Sequence, residues 1–248
     1  MPKLLDKNPM QTHNTVSQFQ FSAVDIKSLG ASEYTIVTIV QDTSTSVGGF
    51  KDDMEKALKQ ILDACKKSPR SENLLLRLVE FNSNIGELHG FRELRNIDPT
   101  EYDGILKPRG MTALFDATAD SVEATEQFGK TLVSKDFPCN AIMFVITDGV
   151  ENCSHMIKSP GTIKDAIKRI LSAESLESFR SVLIGVDSEP GVMDILKTFK
   201  DEAGLDQFIE MGAATPGKLA KLADFVSKSV SSTSQALGTG KPSQPLTF

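Results

Sequence analysis

Two apolar runs that each end at an aspartate constrain the fold of this chain more than any other feature. The runs are YTIVTIVQ (34–41), followed by Asp42, and NAIMFVIT (140–147), followed by Asp148. Both are short, rich in β-branched residues and free of charge, which is typical of strands buried on both faces of a parallel sheet. We therefore expect both carboxylates at the carboxyl edge of one sheet.

Strand-like and helical patterns alternate along the rest of the chain. Further strands are predicted at residues 74–81, 85–94, 181–187 and 207–212, the first two forming a hairpin. Amphipathic helices are predicted at residues 50–65, 113–129, 162–172, 192–199 and 218–230. This alternation predicts an α/β fold with a doubly wound, Rossmann-like and mostly parallel sheet, one antiparallel edge strand, and helices on both faces.

The length of 248 residues suits one large α/β domain, which we place at residues 34–230. Residues 1–33 form an N-terminal arm. Its first part, residues 1–16, reads as a flexible leader, and the alternation over residues 17–24 predicts a short extra strand. The composition turns to Ser, Gly and Pro over residues 231–248, which predicts a flexible tail.

Charge and composition argue against several functional classes. The formal net charge is -6, with 27 basic and 33 acidic residues, so we expect no nucleic-acid partner. No apolar run approaches the length of a membrane span and no signal peptide opens the chain, so we expect no membrane partner. The cysteines Cys65, Cys139 and Cys153 are odd in number and unpatterned, which favours reduced thiols and a cytoplasmic location.

The predicted site combines two carboxylates with three hydroxyls. In doubly wound sheets, ligands bind beyond the carboxyl ends of the strands, where the strand order reverses. In the common order 3-2-1-4-5-6, the strands that end at Asp42 and Asp148 are neighbours there. Ser44 and Ser46 follow Asp42 directly, and Thr112 precedes a predicted helix. Such an all-oxygen set suits a hard cation, Mg²⁺ or Mn²⁺, better than zinc, which prefers nitrogen and sulfur ligands.

These residues resemble the metal-ion-dependent adhesion site (MIDAS) of the von Willebrand factor A-type (VWA) family. Asp42-Thr-Ser44-Thr-Ser46, the threonine of GMT (Thr112) and Thr147-Asp148-Gly149 are similar to its Asp-x-Ser-x-Ser, Thr and Thr-Asp-Gly elements. The resemblance covers residues 34–230. The three elements in this order are a specific signal, whereas Asp-x-Ser-x-Ser alone would be weak. Thr45 departs from the family, where Gly is common, but this change removes no ligand.

The resemblance implies a function as well as a site. In VWA proteins an acidic side chain of a protein partner completes the coordination of the metal, and the final helix can shift on binding. We therefore expect a metal-dependent protein interaction module that recognises an Asp or Glu, with self-association as one form of this. The chain is more similar to stand-alone intracellular VWA proteins of bacteria and phages, including those of tellurite-resistance type, than to secreted adhesion domains.

Other interpretations compete with this one. DTSTS alone would equally suit an Asx turn and a helix N-cap. A Mg²⁺-dependent hydrolase or phosphotransferase is disfavoured, because aspartyl-phosphate enzymes carry an acid two residues after the nucleophile and this chain has Ser44 there; we expect no enzyme. A structural or assembly component, for instance of a virion, would instead use the arm and the tail. Glu151 and Asn152 either form the rim of the site or are solvated loop, and we favour loop.

Overall fold

The computed structural model describes residues 10–173, 175–186, 190–239 and 247–248. Within these ranges the chain forms one sheet of eight strands and five α-helices. The strands are β1 (Met10–Asn14), β2 (Gln20–Val24), β3 (Tyr34–Asp42), β4 (Leu74–Phe81), β5 (Ile85–Glu93), β6 (Cys139–Thr147), β7 (Phe179–Val186) and β8 (Gln207–Gly212). The helices are α1 (Lys51–Lys66), α2 (Leu114–Val133), α3 (Pro160–Ser172), α4 (Pro190–Ala203) and α5 (Pro216–Thr239).

The strand order is β1-β2-β5-β4-β3-β6-β7-β8. Strands β4, β3, β6, β7 and β8 are mutually parallel, and β5 is antiparallel to β4. Counted from β3, the last six strands have the predicted order 3-2-1-4-5-6. The predicted Rossmann-like α/β fold is confirmed. Its antiparallel edge is broader than expected, because β2 pairs parallel with β5 and β1 pairs antiparallel with β2.

Alternate side chains of the central strands enter two separate cores. Ile36 and Val40 of β3 pack in the layer covered by α2, α3 and α4, whereas Val37 and Ile39 pack in the layer covered by α1 and α5. Every residue of β3 and of β6 is buried. Burial on both faces explains why these strands carry uncharged runs. No side chain within β3 or β6 is exposed to solvent. Any exposed polar group near these strands must therefore lie beyond their ends.

The N-terminal arm contributes two strands to the sheet. Strand β2 lies within residues 17–24, where an extra strand is predicted. Strand β1 occupies part of the segment that composition predicts as a flexible leader. It is ordered because it hydrogen-bonds to β2 and because the His13 ring stacks on Phe21 at 5.1 Å between centroids. The first nine residues of the leader lie outside the described residues.

The final helix extends beyond the predicted domain boundary at residue 231. Helix α5 continues to Thr239, and Ser234 within this extension is fully buried. Arg70 Nε donates to Ser234 Oγ at 2.9 Å, and Asn140 Nδ2 donates to the Thr233 carbonyl at 2.6 Å. Small hydroxyl side chains suit this helix because they allow close packing and meet polar partners. Residues 240–246 of the predicted tail lie outside the described residues.

A buried arginine joins the arm, the sheet and α2. The Arg77 side chain is 1% exposed, and it pairs with Glu87 at 2.7 Å and with Asp120 at 3.0 Å. Two phenylalanine rings lie 6.0 and 5.7 Å from its guanidinium carbon. Glu87 also accepts a hydrogen bond of 2.9 Å from the Ser22 N–H of β2. These partners satisfy a charge whose burial would otherwise be strongly unfavourable.

Candidate metal site

The five predicted metal-site residues lie at the carboxyl edge of the sheet, where the strand order reverses. Strands β3 and β6 are hydrogen-bonded neighbours there. Asp42 is the last residue of β3, and Asp148 follows the last residue of β6. Ser44 and Ser46 belong to the loop after β3, and Thr112 lies two residues before α2. The topology thus brings residues about a hundred positions apart to one place.

Asp42 lies at the buried back of the site. Its carboxylate accepts hydrogen bonds from the Ser44 N–H at 2.7 Å and from the Thr147 hydroxyl at 2.5 Å. Burial raises the pKa of Asp42 to about 6, although these hydrogen bonds lower it. No basic side chain of the described residues forms an ion pair with it. Asp42 therefore provides negative charge that a bound cation would stabilise.

The hydroxyls of the DTSTS loop connect to the second aspartate. Ser44 Oγ and Ser46 Oγ are 3.1 Å apart, and Ser46 Oγ donates to Asp148 Oδ1 at 2.9 Å. Ser46 is exposed, whereas Ser44 is buried. Ser44, Ser46 and Asp148 therefore form a continuous chain of oxygen contacts. The chain runs from the buried Ser44 to the protein surface at Ser46.

Thr112 lies next to the turn that carries Asp148. Its hydroxyl oxygen is so close to Gly149 that a Cβ placed on that glycine would lie 3.3 Å away. Thr112 is 4% exposed, and no hydrogen bond within the described residues uses its hydroxyl. The main chain of Thr112 is fixed by Asn152, which accepts from the Thr112 N–H at 2.8 Å. The hydroxyl is thus held near the site while its oxygen remains available.

Hydrogen bonds also hold the two loops that carry the hydroxyls against each other. Thr45 donates to the Gly110 carbonyl through its N–H at 3.2 Å and through its hydroxyl at 3.0 Å. The Arg109 N–H donates to the Thr43 carbonyl at 2.8 Å. Thr45, the position at which the chain departs from the VWA pattern, therefore uses its side chain to stabilise the site.

Sequence reasoning missed three residues that organise the site. Thr147 was recognised only as part of the Thr-Asp-Gly element, yet its hydroxyl contacts Asp42 across two strands. Asn152 and Glu151 lie in a loop, as the sequence predicts, but they also form hydrogen bonds: Asn152 accepts from the Thr112 N–H and Glu151 from the Phe115 N–H, both at 2.8 Å. The Thr-Asp-Gly element could have pointed to Thr147. The other two depend on loop packing, which has no local sequence pattern.

The donor set fits a divalent cation bound by oxygen. The described residues contain no group of three or more His, Cys, Asp or Glu side chains that could hold a metal ion. This site has two such side chains, and its remaining oxygens are hydroxyls. It also combines the buried Asp42 carboxylate, which has no ion-pair partner among the described residues, with the exposed Ser46 hydroxyl and the buried residues Ser44 and Thr112. Hard cations such as Mg²⁺ prefer ligands of this kind.

Comparison with known proteins places the fold among solved structures. No family model and no curated protein matches the sequence. The PilB minor pilin from Streptococcus sanguinis shares 16% identity at a TM-score of 0.57, over 91% of this chain and 67% of the pilin. The pilus adhesin SpaC from Lactobacillus rhamnosus GG shares 11% identity at a TM-score of 0.54, over 91% of this chain and 33% of the adhesin.

A third structure carries the motif itself. Proximal thread matrix protein 1 from the mussel byssus, solved with a zinc-occupied MIDAS motif, shares 20% identity at a TM-score of 0.51. The match covers 81% of this chain and 46% of that protein. The fold of this chain is similar to the folds of these three proteins. At these identities the comparisons show the fold alone, and this chain spans one third to two thirds of the length of these three proteins.

The metal of the byssus protein differs from the ions that ligand type favours for this chain. An argument from ligand type favours Mg²⁺ or Mn²⁺ over zinc at an all-oxygen site. The MIDAS motif of that protein nevertheless holds zinc. For this chain, the oxygen donors support a divalent cation.

Proposed function

We propose that this chain is a VWA domain that recognises a protein partner through a divalent cation, Mg²⁺ or Mn²⁺, bound at Asp42, Ser44, Ser46, Thr112 and Asp148. The observation that carries this proposal is the continuous contact from Ser44 through Ser46 to Asp148, with buried Asp42 behind it. An Asx turn that capped a helix would account for the Asp42 contact with the Ser44 N–H. It would not account for a second carboxylate, from another strand, on the Ser46 hydroxyl.

The residues of the site divide into two roles. The hydroxyls of Ser44, Ser46 and Thr112 serve as direct ligands, and Asp42 and Asp148 balance charge. A bound divalent ion supplies positive charge and an exchangeable coordination position, which an Asp or Glu carboxylate of the partner can fill. The Ser44 N–H hydrogen bond keeps the Asp42 carboxylate in place before any ion arrives.

Two exposed methionines lie on the segments that carry Thr112 and Asp148. Met111 is 54% exposed and directly precedes Thr112, and Met156 is 58% exposed in the segment that follows Asp148. Large exposed apolar side chains beside a charged centre are typical of an interface that combines an electrostatic contact with apolar burial. We propose a partner whose acidic residue lies among apolar neighbours.

We propose a binding role without catalysis. A hydrolase would need a general base near the reacting group, and histidine is the most frequent one. Two of the three histidines are engaged elsewhere: His13 stacks on Phe21 in the arm, and both ring nitrogens of His89 are in hydrogen bonds, to the Gly90 carbonyl and the Tyr102 hydroxyl. The third, His155, is exposed in the loop after Asp148 and is the candidate base that a test of activity must address. A phosphatase screen with Mg²⁺ and Mn²⁺ tests this. Turnover abolished by Asp148→Ala would contradict it.

We also propose a cytoplasmic location. Cys65, Cys139 and Cys153 are free cysteines, as expected for a reducing compartment. Among the described residues, no helix has the length and apolar character needed to cross a membrane. Fractionation of the native cell tests the location, and recovery of the protein outside the cytoplasm would contradict it.

Metal binding is tested first. Mn²⁺ is titrated into the full chain and followed by electron paramagnetic resonance, with Mg²⁺ and Zn²⁺ as competitors. We expect the wild type to bind one ion and the double variant Ser46→Ala, Asp148→Ala to bind none. Asp194→Ala, which removes an exposed carboxylate of α4, is the matched control and should bind as the wild type does. Equal binding by the double variant would contradict the proposed ligands.

Partner recognition is tested with the same variants. The immobilised protein captures partners from native lysate, once with Mg²⁺ and once with EDTA. We expect a protein that is retained only with Mg²⁺, by the wild type and by Asp194→Ala but not by the double variant. Its binding should weaken when its acidic residues are neutralised. Retention that is indifferent to EDTA would contradict metal-dependent recognition.

An assembly role is the second candidate, and the arm favours it. Strand β1 is the outermost strand of the described sheet, and outermost strands offer backbone groups to another chain. Deletion of residues 1–16 tests this candidate. Lost self-association with intact Mn²⁺ binding would favour it, whereas unchanged association would eliminate it.

A further inference from the structure

The loop after Asp148 and the start of α2 are joined by hydrogen bonds that run in both directions. Asp116 of α2, which is 4% exposed, accepts from the N–H groups of His155 at 2.7 Å and Ile157 at 2.7 Å. In return, Glu151 of the loop accepts from the Phe115 N–H of α2 at 2.8 Å. Two carboxylates on opposite sides thus fix the loop to the helix.

Glu151 also organises its own loop. Its carboxylate accepts from the Cys153 N–H at 2.8 Å and from the Ser154 N–H and hydroxyl, both at 2.6 Å. The conformation of the loop is therefore maintained by Glu151 and Asp116. None of these hydrogen bonds uses the side chain of Asn152, which is exposed to solvent.

Asn152 forms hydrogen bonds with both the N–H and the carbonyl of Thr112. The Thr112 N–H donates to Asn152 Oδ1 at 2.8 Å, and the Asn152 N–H donates to the Thr112 carbonyl at 3.1 Å. A residue whose N–H and carbonyl are both fixed has little freedom in its backbone dihedral angles, so the direction of its Cα–Cβ bond is fixed as well. The β-branched Thr112 side chain has few rotamers on that main chain, and in the one observed its hydroxyl lies beside Gly149.

We propose that Asn152 is a positioning residue for the cation: its amide oxygen fixes the main chain of Thr112 and so presents the Thr112 hydroxyl as a ligand. This inference rests on the proposed function, since it assigns a residue to the same metal site. Metal ligands need distances accurate to about 0.2 Å, and partners behind the ligands typically contribute 10- to 100-fold to metal affinity.

The test compares Asn152→Ala with Asn152→Asp in the full chain. Alanine removes the acceptor for the Thr112 N–H, whereas aspartate retains it. In a Mn²⁺ titration we expect Asn152→Ala to bind about tenfold more weakly or worse and Asn152→Asp to bind at least as tightly as the wild type. Hydrogen exchange of the Thr112 amide should be faster in Asn152→Ala only.

Thermal unfolding in EDTA separates positioning from a purely structural role. Glu151 and Asp116 maintain the loop, so the unfolding temperature of Asn152→Ala should stay near that of the wild type. Equal Mn²⁺ affinity of the wild type and Asn152→Ala would overturn the inference and leave the proposed function standing. So would weakening that Asn152→Asp does not rescue. A wild type that binds no Mn²⁺ would overturn both.

Discussion

At the scale of single residues, the site depends on close approach as much as on ligand chemistry. Gly149 leaves room for the Thr112 hydroxyl, and a Cβ at this position would lie 3.3 Å from it. A contact this short requires the neighbouring atom to move by a few tenths of an ångström. Gly149 is therefore part of the site although it contributes no ligand.

Gly149→Ala should weaken metal binding on the order of tenfold, because the Thr112 oxygen must shift beyond the tolerance of a metal–ligand distance. Calorimetric titration with Mn²⁺ measures this. Gly48→Ala is the matched control, since its added Cβ would meet only Pro108 at an ordinary 3.9 Å. Equal affinities of the two variants would contradict the steric argument.

The lowered pKa of His89 predicts that the free energy of unfolding depends on pH. The pKa of His89 is lowered to about 4 from an ordinary value near 6.5, chiefly by burial and also by the charge of Arg92, although the Gly90 carbonyl and the charge of Glu101 raise it. Between pH 4 and 6.5 the unfolded chain therefore binds a proton that the folded chain does not. The contribution of His89 is complete above pH 6.5 and is lost as the pH falls towards 4.

His89→Gln should remove this dependence. As the pH falls from 7 to 4, the wild type should lose up to about 3 kcal/mol more of its free energy of unfolding than the variant does. Urea unfolding at several pH values measures it, and the contributions of other groups cancel in the comparison. A difference that does not change with pH would show that His89 titrates normally in the folded protein.

At the scale of elements, the Arg77 side chain links β4, β5 and α2 through Glu87 and Asp120. Arg77→Met leaves the buried Asp120 carboxylate without its cation and should destabilise the protein by about 3–5 kcal/mol. The double variant Arg77→Met, Asp120→Leu should recover part of this loss, since no uncompensated charge then remains at Asp120. Urea unfolding gives both values.

The matched control for this prediction is Lys168→Met. Lys168 pairs with Asp165 at 3.6 Å on the surface of α3, where the two side chains are 66% and 72% exposed. Exposed pairs of this kind contribute about 0–1 kcal/mol. If Arg77→Met lost no more stability than this control, the buried network would not stabilise the fold.

Strands and helices were predictable from the sequence where burial determines the pattern of apolar and polar residues. The uncharged runs that end at Asp42 and Asp148 identified the two central strands and the edge at which the site lies. The extent of α5 was not predictable, because Ser and Thr read as disordered tail until Arg70 is seen to bind Ser234. Asn152 was missed for the same reason: a contact with Thr112, forty residues away in sequence, determines its role.

At the scale of the whole molecule, a bound cation should stabilise the folded state. A ligand at about 100 times its dissociation constant adds about 2.7 kcal/mol, which raises the unfolding temperature of a domain of this size by about 5–10 °C. We expect this shift with Mn²⁺ or Mg²⁺ in the wild type and in Asp194→Ala. Calorimetry measures it.

Asp148→Ala should unfold at the same temperature with and without the ion. Equal shifts in the wild type and Asp148→Ala would mean that the stabilising ion binds elsewhere on the protein. No shift in any variant, at concentrations where Mn²⁺ binding is measured directly, would mean that the ion binds the unfolded chain equally well.

The anchoring of Met111 and Met156 has an evolutionary consequence. Both residues are tied to the fold through their main-chain N–H groups, Met111 to the Ser83 hydroxyl at 2.9 Å and Met156 to the Asp116 carboxylate at 3.1 Å. Their side chains are therefore free to diversify while the proposed cation ligands stay constant. On the proposed function, we expect a lineage of such proteins to exchange one partner for another by mutation at these two positions, without passing through an intermediate that has lost the proposed metal site.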